Sequence, residues 1–166
     1  MTFHSPLRVL ALDTCTESCS AALSVDGNLF TRIADAPREH SQRLLPMVDE
    51  VLQEANISLA DIDLIAYGRG PGSFTGIRIC TSMTQGLALG CDLPVIGVST
   101  LAAMAQMAIT EHGAEQVFCA TDARMNEVYV GQFIAKNGIA TLIGTEQVCL
   151  PADVELHLDS SKSIKA

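Results

Sequence analysis

The sequence predicts an α/β chain in which a βββαβα unit occurs twice, the second time incompletely. Three observations carry that prediction. An acidic loop follows an apolar strand-like run twice, at Asp13 after residues 7–12 and at Asp122 after residues 117–121. The turn dipeptides Asp26-Gly27 and Asn137-Gly138 fall at matching places in the two copies. Between them lies YGRGPGSFTGIRICTSMTQGLALGC, residues 67–91, a glycine-rich turn leading from a strand into a helix.

Residues 7–12 (LRVLAL) are a β-type run ending in Asp13-Thr14-Cys15-Thr16, and residues 20–25 (SAALSV) form the second strand. Asp26-Gly27 supplies the positive φ of a tight hairpin into the third strand, residues 29–34. Residues 38–55 carry apolar side chains at 44, 45, 48, 51, 52 and 55, a helical period, with Asp49, Glu50, Gln53 and Glu54 opposite. Pro46 removes one N–H there, so it should start the regular helix or kink it. His40 is expected to be exposed or capping. A strand at 64–67, the glycine loop, a helix over 75–89 closed by Gly90, and a strand at 95–98 complete the first unit. Residues 99–112 form a third helix, with Ser99 or Thr100 as N-cap and Gly113 as its stop.

The glycine loop has two readings. Backbone N–H groups at a helix N-terminus can converge on an anion, which makes Gly70, Gly72 and Ser73, with Asp13 and Thr14, candidate vestigial nucleotide-binding residues. The other reading is structural: Gly68, Gly70, Gly72 and Gly76 supply positive φ and close approach, with Ser73 or Thr75 capping the helix. The spacing matches neither the P-loop, since no Lys follows Gly76, nor GxGxxG, since residue 73 is Ser. The helix behind the loop has no charged residue from Ile79 to Cys91. Gly76, Ile79, Cys80, Met83 and Leu87 fall on one stripe and Ile77, Thr81, Thr84 and Ala88 on another, so an uncharged face remains whichever stripe meets the sheet.

After Gly113 the strand, Asp loop, strand, turn, strand order returns over residues 117–143. The second copy then offers only a short run at 154–158 and a polar tail, so its sheet should lack covering helices and leave an apolar face bare. Two such lobes, 1–98 and 99–166, the latter a linking helix plus a truncated second lobe, describe the actin, sugar-kinase and Hsp70-like (ASKHA) architecture. Within that frame LALDTCTESCSAALSVDG, PREHSQRLLPMVDEVL, LIAYGRGPGSFTGIRI, QGLALGCDLPVIGVSTL and DARMNEVY closely resemble the bacterial TsaB (YeaZ) family. The resemblance covers about residues 7–150; the family's chain continues beyond residue 166.

That resemblance implies a non-catalytic scaffold that binds and activates a TsaD-like catalytic subunit making threonylcarbamoyladenosine (t6A) in tRNA. A TsaE-like ATPase would join through the TsaB–TsaD complex, and a homodimer would form when the chain is alone. It implies a contact surface on the first two helices, through Leu44, Leu45, Val48 and Leu52 on one and Ile79, Cys80, Met83 and Leu87 on the other. The alternative is an enzyme in its own right, a nucleotide-dependent transferase or a peptidase. Against it, the glycine of the DxGT turn is replaced by Cys15. Thr100 and Met104 align with the metal-binding HxxxH pair of TsaD proteins, and the four histidines contain no pair at ligand spacing, so no metal is expected. No cofactor is expected either, beyond weak ATP or ADP binding with partners present. Asp122 and Arg124, with Glu127 and Tyr129 beside them, are read as bracing the lobes through an ion pair.

Net charge is −9, which opposes direct binding to a phosphate backbone, so tRNA contact is expected mainly through partners. No apolar run approaches the ~18 residues of a membrane span, and no signal peptide opens the chain; a cytoplasmic protein is expected. The six cysteines show no CxxC pair and suit reduced, buried thiols.

Overall fold

A computed structural model describes residues 7–35, 37–159 and 164–165. The chain divides into two compact units, Met1–Val98 and Ser99–Ala166.

The first unit holds a five-stranded sheet in the order β3-β2-β1-β4-β5, where β1 is Val9–Asp13, β2 Ser18–Val25, β3 Asn28–Asp35, β4 Leu64–Gly68 and β5 Val95–Val98. The first three strands are antiparallel, and β4 and β5 run parallel to β1. Asp26 and Gly27 both take positive φ, 49° and 81°, in the hairpin between β2 and β3. Strict alternation puts Leu10 and Leu12 of β1 and Cys19, Ala21, Leu23 and Val25 of β2 on one face. Both helices of the unit cover that face: α1, His40–Glu54, with Leu44, Met47, Val48, Val51 and Leu52, and α2, Phe74–Cys91, with Cys80 and Ala88. Arg32 of the edge strand β3 pairs with Glu50 and Glu54 of α1, each at 2.7 Å.

Two helix details depart from expectation. Pro46 does not start α1 but lies inside it, where the Gln42 carbonyl goes without the N–H it would accept in an unbroken helix. The C-cap of α2 is Asp92 in the left-handed region (φ 53°), not Gly90, and its N–H closes on the Ala88 carbonyl.

In the second unit the sheet order is β8-β7-β6-β9, from β6 Gln116–Arg124, β7 Glu127–Lys136, β8 Ile139–Cys149 and β9 Ile164–Lys165. The helix α3, Thr100–His112, is capped by Ser99, whose hydroxyl accepts the N–H groups of Leu101 and Ala102. It lays Leu101, Ala105 and Ile109 on Val117, Cys119 and Phe133.

The opposite face of this sheet is not bare as expected. Residues 151–156 pass over it, and Pro151, Val154 and Leu156 join Phe118, Val128 and Val130 around an apolar groove of about 500 Å³. Two buried glutamines hold the passing backbone. Gln132 donates to the Glu155 carbonyl and accepts the His157 N–H, both at 2.7 Å, and Gln116 does the same with Asp159 at 3.1 and 2.7 Å. Each side-chain amide thus substitutes for one rung of a β-ladder, so no helix is needed to satisfy it. The tail called from residue 158 onward lies largely outside the described residues.

Candidate functional site

The Asp13 loop and the glycine loop are packed together, and the glycines are where that packing is tightest. A Cβ at Gly76 would run into the Thr14 carbonyl oxygen, one at Gly72 into the Cys15 carbonyl oxygen, and one at Gly68 into the Asp13 carboxylate. Gly70 is needed instead for its φ of 90°. Hydrogen bonds lock the pair. The Ser73 N–H donates to the Cys15 carbonyl at 2.7 Å and the Thr14 hydroxyl to the Gly76 carbonyl at 2.7 Å. The Cys15 thiol donates to the Gly68 carbonyl at 3.2 Å.

All five candidate nucleotide residues are therefore brought together, but their polar groups face one another. Asp13 Oδ1 accepts the Cys15 N–H at 2.6 Å, Thr14 is fully buried, and the Ser73 hydroxyl accepts the Gly76 N–H as N-cap of α2. Of the N–H groups around this helix N-terminus, those of Ser73 and Gly76 are bonded within the chain. His40, expected to be exposed or capping, is neither: Glu39 is the N-cap of α1, and His40 is buried and donates from Nε2 to the Thr16 carbonyl at 3.0 Å, which fixes the far side of the same loop. The sequence signal for it is its position as first residue of an amphipathic helix, where a side chain can reach back over the preceding strands.

The second helix separates into an inner and an outer row. Gly76, Cys80, Thr84 and Ala88, spaced by four, are buried. That row takes members from both predicted stripes, so neither stripe as drawn faces the sheet. Burial raises the Cys80 thiol pKa, and the Asp13 charge adds to the shift. Ile79, Met83 and Leu87 flank the row half-buried. Outward point Phe74, Arg78, Ser82, Gln85, Gly86, Leu89 and Gly90; Leu89 is 87 % exposed and Phe74 68 %.

Of the residues expected to meet a partner, Leu44, Val48, Leu52 and Cys80 are corrected: all four are buried in the core of their own unit. The helical period found them because the same apolar spacing marks any core-facing stripe. Leu45 is exposed, and Ile79, Met83 and Leu87 keep part of their surface accessible. Sequence reasoning missed Arg78 and Phe74, four residues apart in the first turns of α2. The Arg78 guanidinium carbon lies 3.8 Å from the Phe74 ring centroid. Together they line a surface groove of about 370 Å³ with Ser41, Thr75, Ser82 and Met83.

In the second unit the expected ion pair of Asp122 and Arg124 is replaced by a local bond. Asp122 Oδ1 accepts the Arg124 backbone N–H at 2.8 Å, and neither side chain forms an ion pair among the described residues. Glu127 is paired backbone to backbone with Arg124 across the hairpin. At the aligned metal positions, the Thr100 hydroxyl is buried without a hydrogen-bond partner and Met104 is partly exposed. Among the described residues no three His, Cys, Asp or Glu side chains come together. No helix there is long and apolar enough to cross a membrane.

This is a chain of the ASKHA class, and residues 34–166 match the family model described as tRNA N6-adenosine threonylcarbamoyltransferase, TsaD. The tRNA threonylcarbamoyladenosine biosynthesis protein TsaB of Escherichia coli K12 is 53% identical over 146 residues, which are 87% of this chain and 63% of that protein. Its Haemophilus influenzae counterpart is 45% identical over 167 residues, 96% of this chain and 71% of the relative. A solved structure of YeaZ from Pseudomonas aeruginosa superposes with a TM-score of 0.92 at 46% identity, over 96% of this chain and 74% of that one. The chain belongs to the TsaB (YeaZ) family. It spans a little under two thirds of the length of the E. coli relative.

Proposed function

We propose that this chain is a non-catalytic subunit in t6A biosynthesis on tRNA, acting in the cytoplasm by pairing with a TsaD-like catalytic subunit through the outer row of α2 and the adjoining edge of α1. The relatives' names supply the pathway. The observation that carries the pairing is the outer row itself. Gly86 sits in the interior of α2 and Gly90 in its last turn, each with nothing within 4 Å of where a Cβ would lie and with no positive φ. Gly86 weakens the helix by about 1 kcal/mol relative to Ala and Gly90, near the helix end, by less, and nothing among the described residues requires either. Small residues on an uncharged face beside an exposed Leu89 let a second helix approach closely, and so explain both.

The tight packing of the Asp13 loop on the glycine loop, with Cys15 in place of the DxGT glycine, supports a scaffold over a nucleotide enzyme, with ATP or ADP held weakly and only alongside partners. A TsaE-like ATPase would then join through the paired subunits, and tRNA would be held mainly by them. Alone, the chain would pair with a second copy through the same row. Reconstituted t6A formation should fall to background when this chain is left out and return when it is added. Leu89→Glu should leave the fold intact by circular dichroism and abolish both co-elution with the catalytic subunit and t6A formation. Full activity without the chain would overturn the reading.

A further inference from the structure

We propose that Arg78, held flat on Phe74, is the polar anchor of this contact surface and receives a carboxylate side chain from a helix of the partner protein; this rests on the pairing proposed above. Among the described residues, Arg78 is the one charged side chain lining the groove at the N-terminal end of the α2 outer row. It forms no ion pair among the described residues, whereas Arg32 and Arg43 are both paired with glutamates. Its guanidinium is 3.8 Å from the Phe74 centroid, which presents the N–H fork in one orientation.

An arginine pre-ordered on an exposed aromatic ring loses little side-chain freedom when it binds. It also carries the donor geometry that a carboxylate accepts bidentately. Arginine and aromatic residues in a pocket beside an apolar helix face are the usual composition of an interface hot spot. The flanking groups agree in chemistry: the hydroxyls of Ser41, Thr75 and Ser82 line the same groove and can serve a carboxylate's remaining lone pairs. Gly86, Gly90 and Leu89 then supply the close apolar contact further along the same helix. The two parts divide the work, the small row setting how near the partner helix comes and Arg78 setting its register.

The test is the affinity of the purified TsaD-like subunit for the full chain and its variants, by titration calorimetry at low and high salt. Arg78→Ala should weaken binding by about tenfold and Arg78→Glu by about a hundredfold or more, with Arg78→Lys between the wild type and the alanine variant. The wild-type affinity should fall with salt more steeply than that of Arg78→Ala. The variants' melting temperatures should stay within a few degrees of wild type, since Arg78 is exposed and forms no ion pair among the described residues. If the unaltered chain binds but Arg78→Glu binds equally well with the same salt dependence, the anchor is overturned and the pairing stands. If the unaltered chain fails to bind the subunit, the pairing reading falls and the anchor with it. Loss of self-association alone, with binding to the subunit unchanged, would assign the carboxylate to a second copy and overturn the proposal.

Discussion

The two rows of α2 use small residues for opposite reasons. Inside, Gly76 is the floor on which the Thr14 carbonyl rests, and Cys80, Thr84 and Ala88 continue a narrow seam against β1 and β4. Outside, Gly86 and Gly90 have open space where a side chain would go. The inner glycine is explained by the chain it belongs to, and the outer ones are not. The difference shows that composition alone does not separate a packing glycine from an interface glycine; what surrounds the missing Cβ does.

The most severe way to break the comparison is to fill the inner row. Gly76→Ala puts a methyl group into the Thr14 carbonyl, a backbone atom that cannot swing aside, in a seam also fixed by the Thr14 hydroxyl. The first unit should lose its cooperative transition, at a cost of about 4 kcal/mol or more. A melting curve within a degree or two of wild type would show that the two loops yield more readily than their contacts imply.

Thiol chemistry reads the same division more gently. Cys80 is fully buried in the inner row, whereas Cys91 at the end of α2 is half-buried. Iodoacetamide should label Cys91 rapidly, and Cys149, also half-buried, with it; Cys80 should stay unmodified until the protein unfolds. The pH dependence follows from the same burial. Burial raises the thiol pKa of Cys80 and Cys19, and that of Cys119 to about 11, where Glu146 adds to it. A thiol whose folded pKa lies above its unfolded value of 9.0 contributes stability that is complete below about pH 9. Midpoints of chemical unfolding should therefore fall as pH rises from about 9 to about 11. Midpoints that are flat or rising across that window would contradict the burial of these thiols.

Much of this arrangement is legible in the sequence because strands and turns carry strong local signals. Alternation along residues 18–25 and the two Xaa-Gly turns leave little freedom, and the strands fall where those signals put them. The orientation of α2 is not legible. From Ile79 onward neither of its sides carries charge, so its periodicity there has no polar reference, and the row that faces the sheet was selected by size, which hydropathy does not rank. His40 and the strap at 151–157 were missed for a different reason. Each is placed by one or two long-range hydrogen bonds, from Nε2 to Thr16 and from Gln132 to Glu155 and His157, and such bonds leave no period. The loop candidates Asp13, Thr14 and Ser73 were found as a group, yet whether their donors face outward or toward each other depends on the Cys15 carbonyl, which sequence spacing does not reveal.

The smallest expected effect is the most informative about the outer row. Gly86→Ala and Gly90→Ala each remove backbone freedom from the unfolded chain and add a helix-favouring residue at a position with nothing within 4 Å. Gly86→Ala should raise stability by about 0.5–1 kcal/mol and Gly90→Ala, in the last turn, by less, and because the sites lie four residues apart on open surface the two gains should roughly add. Thermal unfolding of the isolated chain would therefore shift upward by a few degrees. If the outer row lies against a partner helix, the same methyl groups hold that helix away, so affinity for the catalytic subunit should fall while the melting temperature rises. A gain in stability with unchanged affinity would place the contact elsewhere on the chain. A loss of stability would mean that the outer row is packed within the protein after all.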